Sequence, residues 1–272
     1  MESRYRGLRR VVAVLLLTVA VAVPAGSTTA DTAGSTSLRV LQMNLCNSGR
    51  AGCYTGRSVA GAVEVIRAEE PDVVSLNEIC RDDVQPLRRA LADVRVGGTV
   101  VSAFQAAGDR PSGDATRCRN GQPYGIGLLV FTPRRGHVVH AGIHPTQDLA
   151  DPEERAWLCV SATVVHACTT HLAAFSTAAA LGQCRHLFDT VLPAVRSTDP
   201  SRPLVLGGDL NLRQGGTPDV RSCVPPDHPR ADDGAVQQIT ATTDLTVQST
   251  RSIDMGGTTD HPSMLVTLTS AL

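Results

Sequence analysis

The chain has 272 residues, with 25 basic and 26 acidic side chains and a formal net charge of −1. An apolar fraction of 42%, before its 24 glycines are added, is enough for a packed core and excludes a disordered tail protein. Aromatics make up only 3%, which leaves little material for stacking platforms, and every basic residue is an arginine.

Arg4, Arg6, Arg9 and Arg10 precede the apolar run from Val11 to Val23, followed by Pro24-Ala25-Gly26 and then Thr29-Ala30. A basic start, an apolar centre and small residues behind it read as a secretory signal over residues 1–30, with cleavage after Ala25 or Ala30 both open. The apolar run is shorter than the roughly 20 residues that span a bilayer, so a membrane anchor is disfavoured. Residues 31–272 then read as one secreted domain with 21 basic and 25 acidic side chains. Such a mildly acidic surface is not built for tight non-specific duplex binding.

The first elements read as a β-α-β unit. Leu38 to Leu45 is a buried strand, and Val59, Val63 and Ile66 recur at helical spacing until Pro71 stops the helix. Val73 to Ile79 is the second strand, joined by a right-handed crossover. A short helix follows over Val84 to Ala92. Short strands are predicted at Val100–Ala106, Ile126–Thr132, His137–Ile143, Ala156–Thr163 and Val165–Leu172. A helix over Thr177–Val195 precedes a strand at Pro203–Leu206, and Val236–Thr242 and Ser263–Leu268 form the last pair. The order fits two stacked sheets with helices outside. Two long polar segments, Ala107–Pro123 and Arg213–Ala235, read as loops, each carrying a cysteine that can staple it.

All eight cysteines follow the signal, and none is spaced as C-x-x-C, which disfavours a zinc ribbon and favours disulfides. Cys159 and Cys168 face each other if their strands pair across a turn at Thr163-Val164, and Cys46 and Cys53 can close a short loop. Spacing leaves the other four unassigned.

Polar residues end the apolar runs: Asn44, Glu78, His171, Asp209 with Asn211, and Asp260-His261 just before the last strand. Five segments thus deliver carboxylates, amides and imidazoles to strand ends, where active sites are built. His137, His140, His144, His166, His186 and His228 read as structural.

The ordered set resembles the endonuclease/exonuclease/phosphatase superfamily. It rests on Asn44, the run Pro-Asp-Val-Val-Ser-Leu-Asn-Glu ending at Glu78, Thr170-His171-Leu172, Gly208-Asp209-Leu210-Asn211 and Thr259-Asp260-His261-Pro262. Gly125 to Leu129 and Glu154-Arg155-Ala156 resemble its central strands. The resemblance implies an α/β fold, a four-layer α/β/β/α sandwich of two packed, mostly antiparallel sheets flanked by helices. It also implies a phosphoric ester hydrolase using Mg²⁺, with Mn²⁺ or Ca²⁺ as alternatives, held by Glu78 and completed or oriented by Asn44. Asp209 and Asn211 would face the attacking water and a phosphate oxygen, and His261 beside Asp260 would be the general base. His171 would stabilise or protonate the leaving oxygen, and Arg155 would hold the phosphate by a bidentate contact.

One position departs from the family. An aspartate that orients the final histidine is expected some two dozen residues earlier, and Gln237-Gln238 stand there; Asp209, Asp244 and Asp254 remain open for that role. For substrate, a nuclease or other phosphodiesterase leads, supported by the arginines of Ala107–Pro123. A sphingomyelinase-like phospholipid phosphodiesterase is disfavoured because no aromatic follows Phe188. A phosphomonoesterase and a surface-binding protein that lost turnover are the other readings. No segment calls for a dimer, so a monomer is expected.

Overall fold

A computed structural model describes residues 37–270. The signal expected at residues 1–30 falls outside the described residues. Among the described residues no helix is long and apolar enough to cross a membrane.

Strands β1 (Ser37–Asn44), β2 (Val73–Cys80), β3 (Thr99–Ala106) and β4 (Tyr124–Thr132) open the chain, with α1 (Ser58–Glu69) and α2 (Val84–Val94) between them. Then follow β5 (Val138–Ile143), β6 (Ala156–Ser161), β7 (His166–His171), α3 (Thr177–His186) and α4 (Leu192–Ser197). The chain ends in β8 (Leu204–Asp209), β9 (Arg230–Asp232), β10 (Gln237–Ala241), β11 (Leu245–Ile253) and β12 (Ser263–Ser270). One sheet has the order β11-β12-β1-β2-β4-β3 and the other β9-β10-β8-β7-β6-β5.

The layering follows from alternation along the strands. Val40 and Val73 face the second sheet and pack with Leu128, Leu158, Val160, Val205 and Val266 between the sheets. Leu41, Met43, Val74 and Leu76 face the other way, onto Ile66 of α1 and Leu87 and Leu91 of α2. On the far side Leu204, Leu206 and Cys168 meet Ala180, Leu187 and Val195 around α3 and α4. These three interfaces make the expected α/β/β/α sandwich.

Each sheet is antiparallel except for one parallel pair, β1 with β2 and β7 with β8. The crossovers are α1 in one case and α3–α4 in the other. Both parallel pairs run their carboxyl ends toward the same rim, and a polar layer replaces the apolar core there. Ser75 Oγ donates to Thr169 Oγ1 at 2.7 Å, and Asn77 Nδ2 to the Thr170 carbonyl at 3.0 Å, tying sheet to sheet. Gly207 is required at this closure: a Cβ there would lie 2.8 Å from the Ser75 Cβ.

Several expectations need correction. Val236–Thr242 and Ser263–Leu268 do not pair. Gln237–Ala241 joins β8 and β9 in one sheet, whereas Ser263–Ser270 joins β1 and β11 in the other. Strand β11 escaped the sequence reading because, as an exposed edge, it is polar over most of its length. The helix predicted over Thr177–Val195 is divided by a wide turn at Leu187–Val191, just before Pro193. That residue has no N–H to give, and the wide turn accommodates the missing helical bond. The segment Ala107–Pro123 is not structureless: Gly108–Asp109 and Asp114–Ala115 form a hairpin that also pairs with Glu153–Glu154.

All eight cysteines pair. Cys46–Cys53 and Cys159–Cys168 are the two local bridges expected, and Cys80–Cys118 and Cys184–Cys223 anchor the two long polar segments.

Candidate active site

Asn44 and Glu78 stand at the carboxyl ends of β1 and β2, and His171 and Asp209 are register partners at the ends of β7 and β8. Strict alternation would turn Glu78 away from the site, because its neighbour Asn77 faces the other sheet. A bulge corrects this. The pairing of β2 with β4 shifts register between Leu76 and Ile79, and Glu78 adopts φ 56°, in the left-handed region. Cys46 and Asn211 also have positive φ, at 43° and 49°. Three of the chain's strained non-glycine positions thus surround one rim, where strain commonly marks function.

The side chains meet there. Asn44 Nδ2 donates to Glu78 Oε1 at 2.9 Å and to Asp209 Oδ2 at 3.2 Å, while its oxygen accepts from the Cys46 amide at 3.1 Å. Asn44 thus bridges the Glu78 and Asp209 carboxylates. Asp209 is buried and accepts from the Asn211 amide at 3.1 Å, and Asn211 Nδ2 donates to the Leu172 carbonyl at 2.9 Å. His261 Nε2 lies 3.9 Å from Asp209 Oδ2 and 3.9 Å from Asp260 Oδ1. Thr259 Oγ1 donates to the Asn44 carbonyl at 3.0 Å, fixing this loop to β1.

Burial pushes Glu78 above the usual carboxylate range, and the neighbouring Asp209 and Asp260 add to the rise. Asp209 is raised as well, chiefly by burial, against the lowering effect of His261. In both acids burial outweighs the lowering effect of the nearby Arg155 or His261, and a divalent cation would supply further positive charge there. Carboxylate oxygens, such as those of Glu78, are the donors that hard cations such as Mg²⁺ require. Cys46 and Cys53 also lie near Asp260, but their sulfurs are bonded to each other and supply no thiolate.

Arg155 is placed differently from expectation. It is 5% exposed, and both terminal nitrogens are engaged: Nη1 with Glu153 at 3.2 Å and Nη2 with Asp151 at 3.3 Å. Nη1 also donates to His171 Nδ1 at 3.0 Å. A free fork for a bidentate phosphate contact is therefore absent; the guanidinium backs His171 instead. Because arginine only donates, His171 Nδ1 must accept, which puts the ring proton on Nε2. That atom faces the site, 4.0 Å from Glu78 Oε1. Burial, then the charges of Arg155 and His261, hold His171 well below the ordinary imidazole range.

The glutamine that departs from the family pattern is also resolved. Gln237 is buried opposite Asp209, and its Nε2 donates to Pro262 O at 2.6 Å and to Asp233 Oδ2 at 3.1 Å. Of the carboxylates left open, Asp209 is the one that approaches His261, 3.9 Å from its Nε2, while Asp233 reaches this loop only through Gln237 and the Pro262 carbonyl. Asp244 is occupied by Arg196, and Asp254 is exposed and caps Gly256.

A cavity of about 430 Å³ opens over these groups. Its walls include Arg117, one of the arginines of the Ala107–Pro123 segment, and also Arg50, Tyr124, Asp151, Glu153 and Phe175, which the sequence reading did not single out. Only the Asp-Pro-Glu-Glu-Arg run around Arg155 carried a signal, as acids next to a buried base. The remaining histidines are structural where their contacts are defined: His144 bonds Thr170 and His186, and His166 bonds Ser161 and the Asp199 carbonyl.

The sequence profile described as "Endonuclease/Exonuclease/phosphatase family" matches residues 41–261. No curated protein sequence matches the chain. Among solved structures, an endonuclease/exonuclease/phosphatase from Beutenbergia cavernae is 23% identical with a TM-score of 0.64, covering 86% of this chain and 72% of that one. The human Nocturnin catalytic domain with bound sulfate is 17% identical, TM-score 0.62, over 86% and 94%. D. rerio TDP2 complexed with single strand DNA product is 15% identical, TM-score 0.60, over 86% and 99%. With five strand ends converging on one rim and the profile spanning all of them, the chain belongs to the endonuclease/exonuclease/phosphatase family and is a hydrolase of phosphate ester bonds.

Proposed function

We propose that the protein is a secreted, divalent-metal-dependent phosphodiesterase of nucleic acid, working as a monomer through one domain, residues 31–272, behind a signal over residues 1–30. The observation that carries the catalytic part is the convergence of Glu78, Asp209, His171 and His261 over a single cavity, with Asp260 behind His261 at 3.9 Å from its Nε2. Four disulfides support an oxidising compartment. The single strand DNA product described with D. rerio TDP2, and the sulfate with Nocturnin, support a phosphate-bearing polymer as substrate.

Glu78 and Asp260 would hold the cation, with Asn44 orienting Glu78. Bound Mg²⁺, or Mn²⁺ or Ca²⁺ in its place, would neutralise charge that builds on the phosphate oxygens. His261 accepts the proton of the attacking water, with Asp209 opposite Nε2 to stabilise the imidazolium. The Asn211 side chain and Asp209 would orient that water and a phosphate oxygen. His171, neutral with its proton on Nε2, donates a hydrogen bond to a phosphate or leaving oxygen; its Arg155 contact disfavours service as a general acid.

The test is nicking of supercoiled plasmid by oxidised protein with Mg²⁺, beside His261→Ala and a chelator. Cleavage lost in both controls supports the reading. Cleavage that survives His261→Ala overturns the site assignment, and inactivity of folded protein on nucleic acid, with turnover of phospholipid or phosphomonoester, moves the substrate to those classes.

A further inference from the structure

Phe175 is an aromatic side chain left 83% exposed at the wall of the catalytic cavity. It stands four residues beyond His171, between the end of β7 and the start of α3. The segment that carries it is pinned on both sides. Asn211 Nδ2 donates to the Leu172 carbonyl at 2.9 Å, the Ala173 amide donates to Gln183 Oε1 at 2.8 Å, and Ser176 Oγ accepts from the Ala179 amide at 3.2 Å as the cap of α3. A phenyl ring held out to water on a fixed backbone forgoes the stabilisation that burying it would bring.

The same cavity is walled by Arg50 and Arg117. Both sit on stapled elements, Arg50 inside the loop closed by Cys46–Cys53 and Arg117 next to Cys118 of the Cys80–Cys118 bridge. The mouth therefore presents two exposed guanidiniums on disulfide-anchored backbone, Arg117 donating to the Gly121 carbonyl at 3.0 Å, and one exposed π face, around the carboxylates and imidazoles of the candidate site.

We propose that Phe175 is the base-stacking subsite of this enzyme, receiving a nucleobase next to the scissile phosphate while Arg50 and Arg117 hold flanking phosphates. The proposal rests on the phosphodiesterase reading above and narrows it to single-stranded nucleic acid or unpaired ends, because a base within a duplex already stacks on its neighbours and offers no free face. A lipid tail is a poorer fit. It needs an extended apolar surface, and the cavity beside Phe175 is lined largely by Ser48, Arg50, Thr116, Arg117 and Asp151.

The experiment compares a short single-stranded oligonucleotide with an oligomer of the same phosphate backbone whose sugars carry no bases. Wild-type protein should prefer the base-bearing oligomer, and Phe175→Ala should raise KM for it by about 5- to 100-fold and erase the preference, with Phe175→Trp restoring it. In a second readout, emission from Phe175→Trp, measured against the Trp157 background of wild type, should be quenched by the base-bearing oligomer and not by the abasic one. Cleavage with no KM effect and no quenching overturns the subsite and leaves the phosphodiesterase reading standing. Quenching without cleavage of either oligomer supports the subsite and overturns the catalytic reading. Equal loss of both oligomers in Phe175→Ala overturns the subsite in favour of a structural role.

Discussion

Arg155 Nη1 donates to His171 Nδ1 at 3.0 Å, so a residue that cannot accept a hydrogen bond fixes the tautomer of one that can exist in two. Asp151 and Glu153 hold the guanidinium in place from the other side. Replacing Arg155 by Met keeps its length and removes the donor. The expected result is a mixture of His171 tautomers by nitrogen NMR and a fall of about 10- to 100-fold in turnover, the usual effect of losing such support. A single Nε2–H tautomer in Arg155→Met would show that the ring is fixed by packing alone.

This relationship also marks the limit of what the sequence carries. The strand ends were legible because each apolar run stops at a polar residue, and those residues do meet: Asn44, Glu78, His171, Asp209 and His261 share one rim. Arg155 was legible as a member of the set, but its partner was not, because His171 lies on a neighbouring strand and spacing along the chain does not encode side-chain direction. Asp233 was missed for a similar reason. It reaches the site through Gln237 Nε2, and such a relay leaves no fixed interval to read. Strand β11, polar and at a sheet edge, lacked the alternation that revealed the buried strands.

Asp233 provides a second prediction. Its carboxylate holds Gln237, whose amide holds the Pro262 carbonyl directly after His261. Asp233→Ala should lower kcat about 10-fold with KM little changed, because the loss falls on the alignment of His261. Asp233→Asn keeps an oxygen acceptor and should recover most of the rate. The check is the kinetics of a small chromogenic phosphodiester; a rise in KM alone would assign Asp233 to substrate binding instead.

The disulfides should separate stability from activity. Cys46–Cys53 closes a loop of sequence separation 7, and its sulfurs lie within 4.8 Å of an Asp260 carboxylate oxygen, whereas Cys184–Cys223 spans 39 and lies on the helical side. Loop entropy gives the longer bridge about 4 kcal/mol and the shorter about 2.5 kcal/mol. Replacing both cysteines of the longer bridge by Ser should therefore lower denaturant stability more. Replacing both of the shorter should lower activity more, since Cys46 at positive φ sets the backbone that receives Asn44. Parallel losses of stability and activity in both variants would refute this division.

Glu153 makes stability depend on pH with a definite sign. Its carboxyl is raised from 4.5 to about 7, first by burial, with Arg155 opposing and Asp151 and Glu78 adding to the rise. The folded protein therefore binds a proton that the unfolded chain has already released between these two values, and stability falls as pH rises across that window. The contribution is fully present below the unfolded value and lost on passing about 7, a difference of about 3 kcal/mol at most. Glu153→Gln, neutral at every pH, should remove this slope, so the variant gains on wild type as pH increases. Thermal unfolding of both proteins without added metal, followed from about pH 4.5 to pH 8, measures the difference directly. A constant gap between the two melting temperatures would mean that Glu153 stays ionised throughout, its charge held by Arg155 more strongly than burial opposes it.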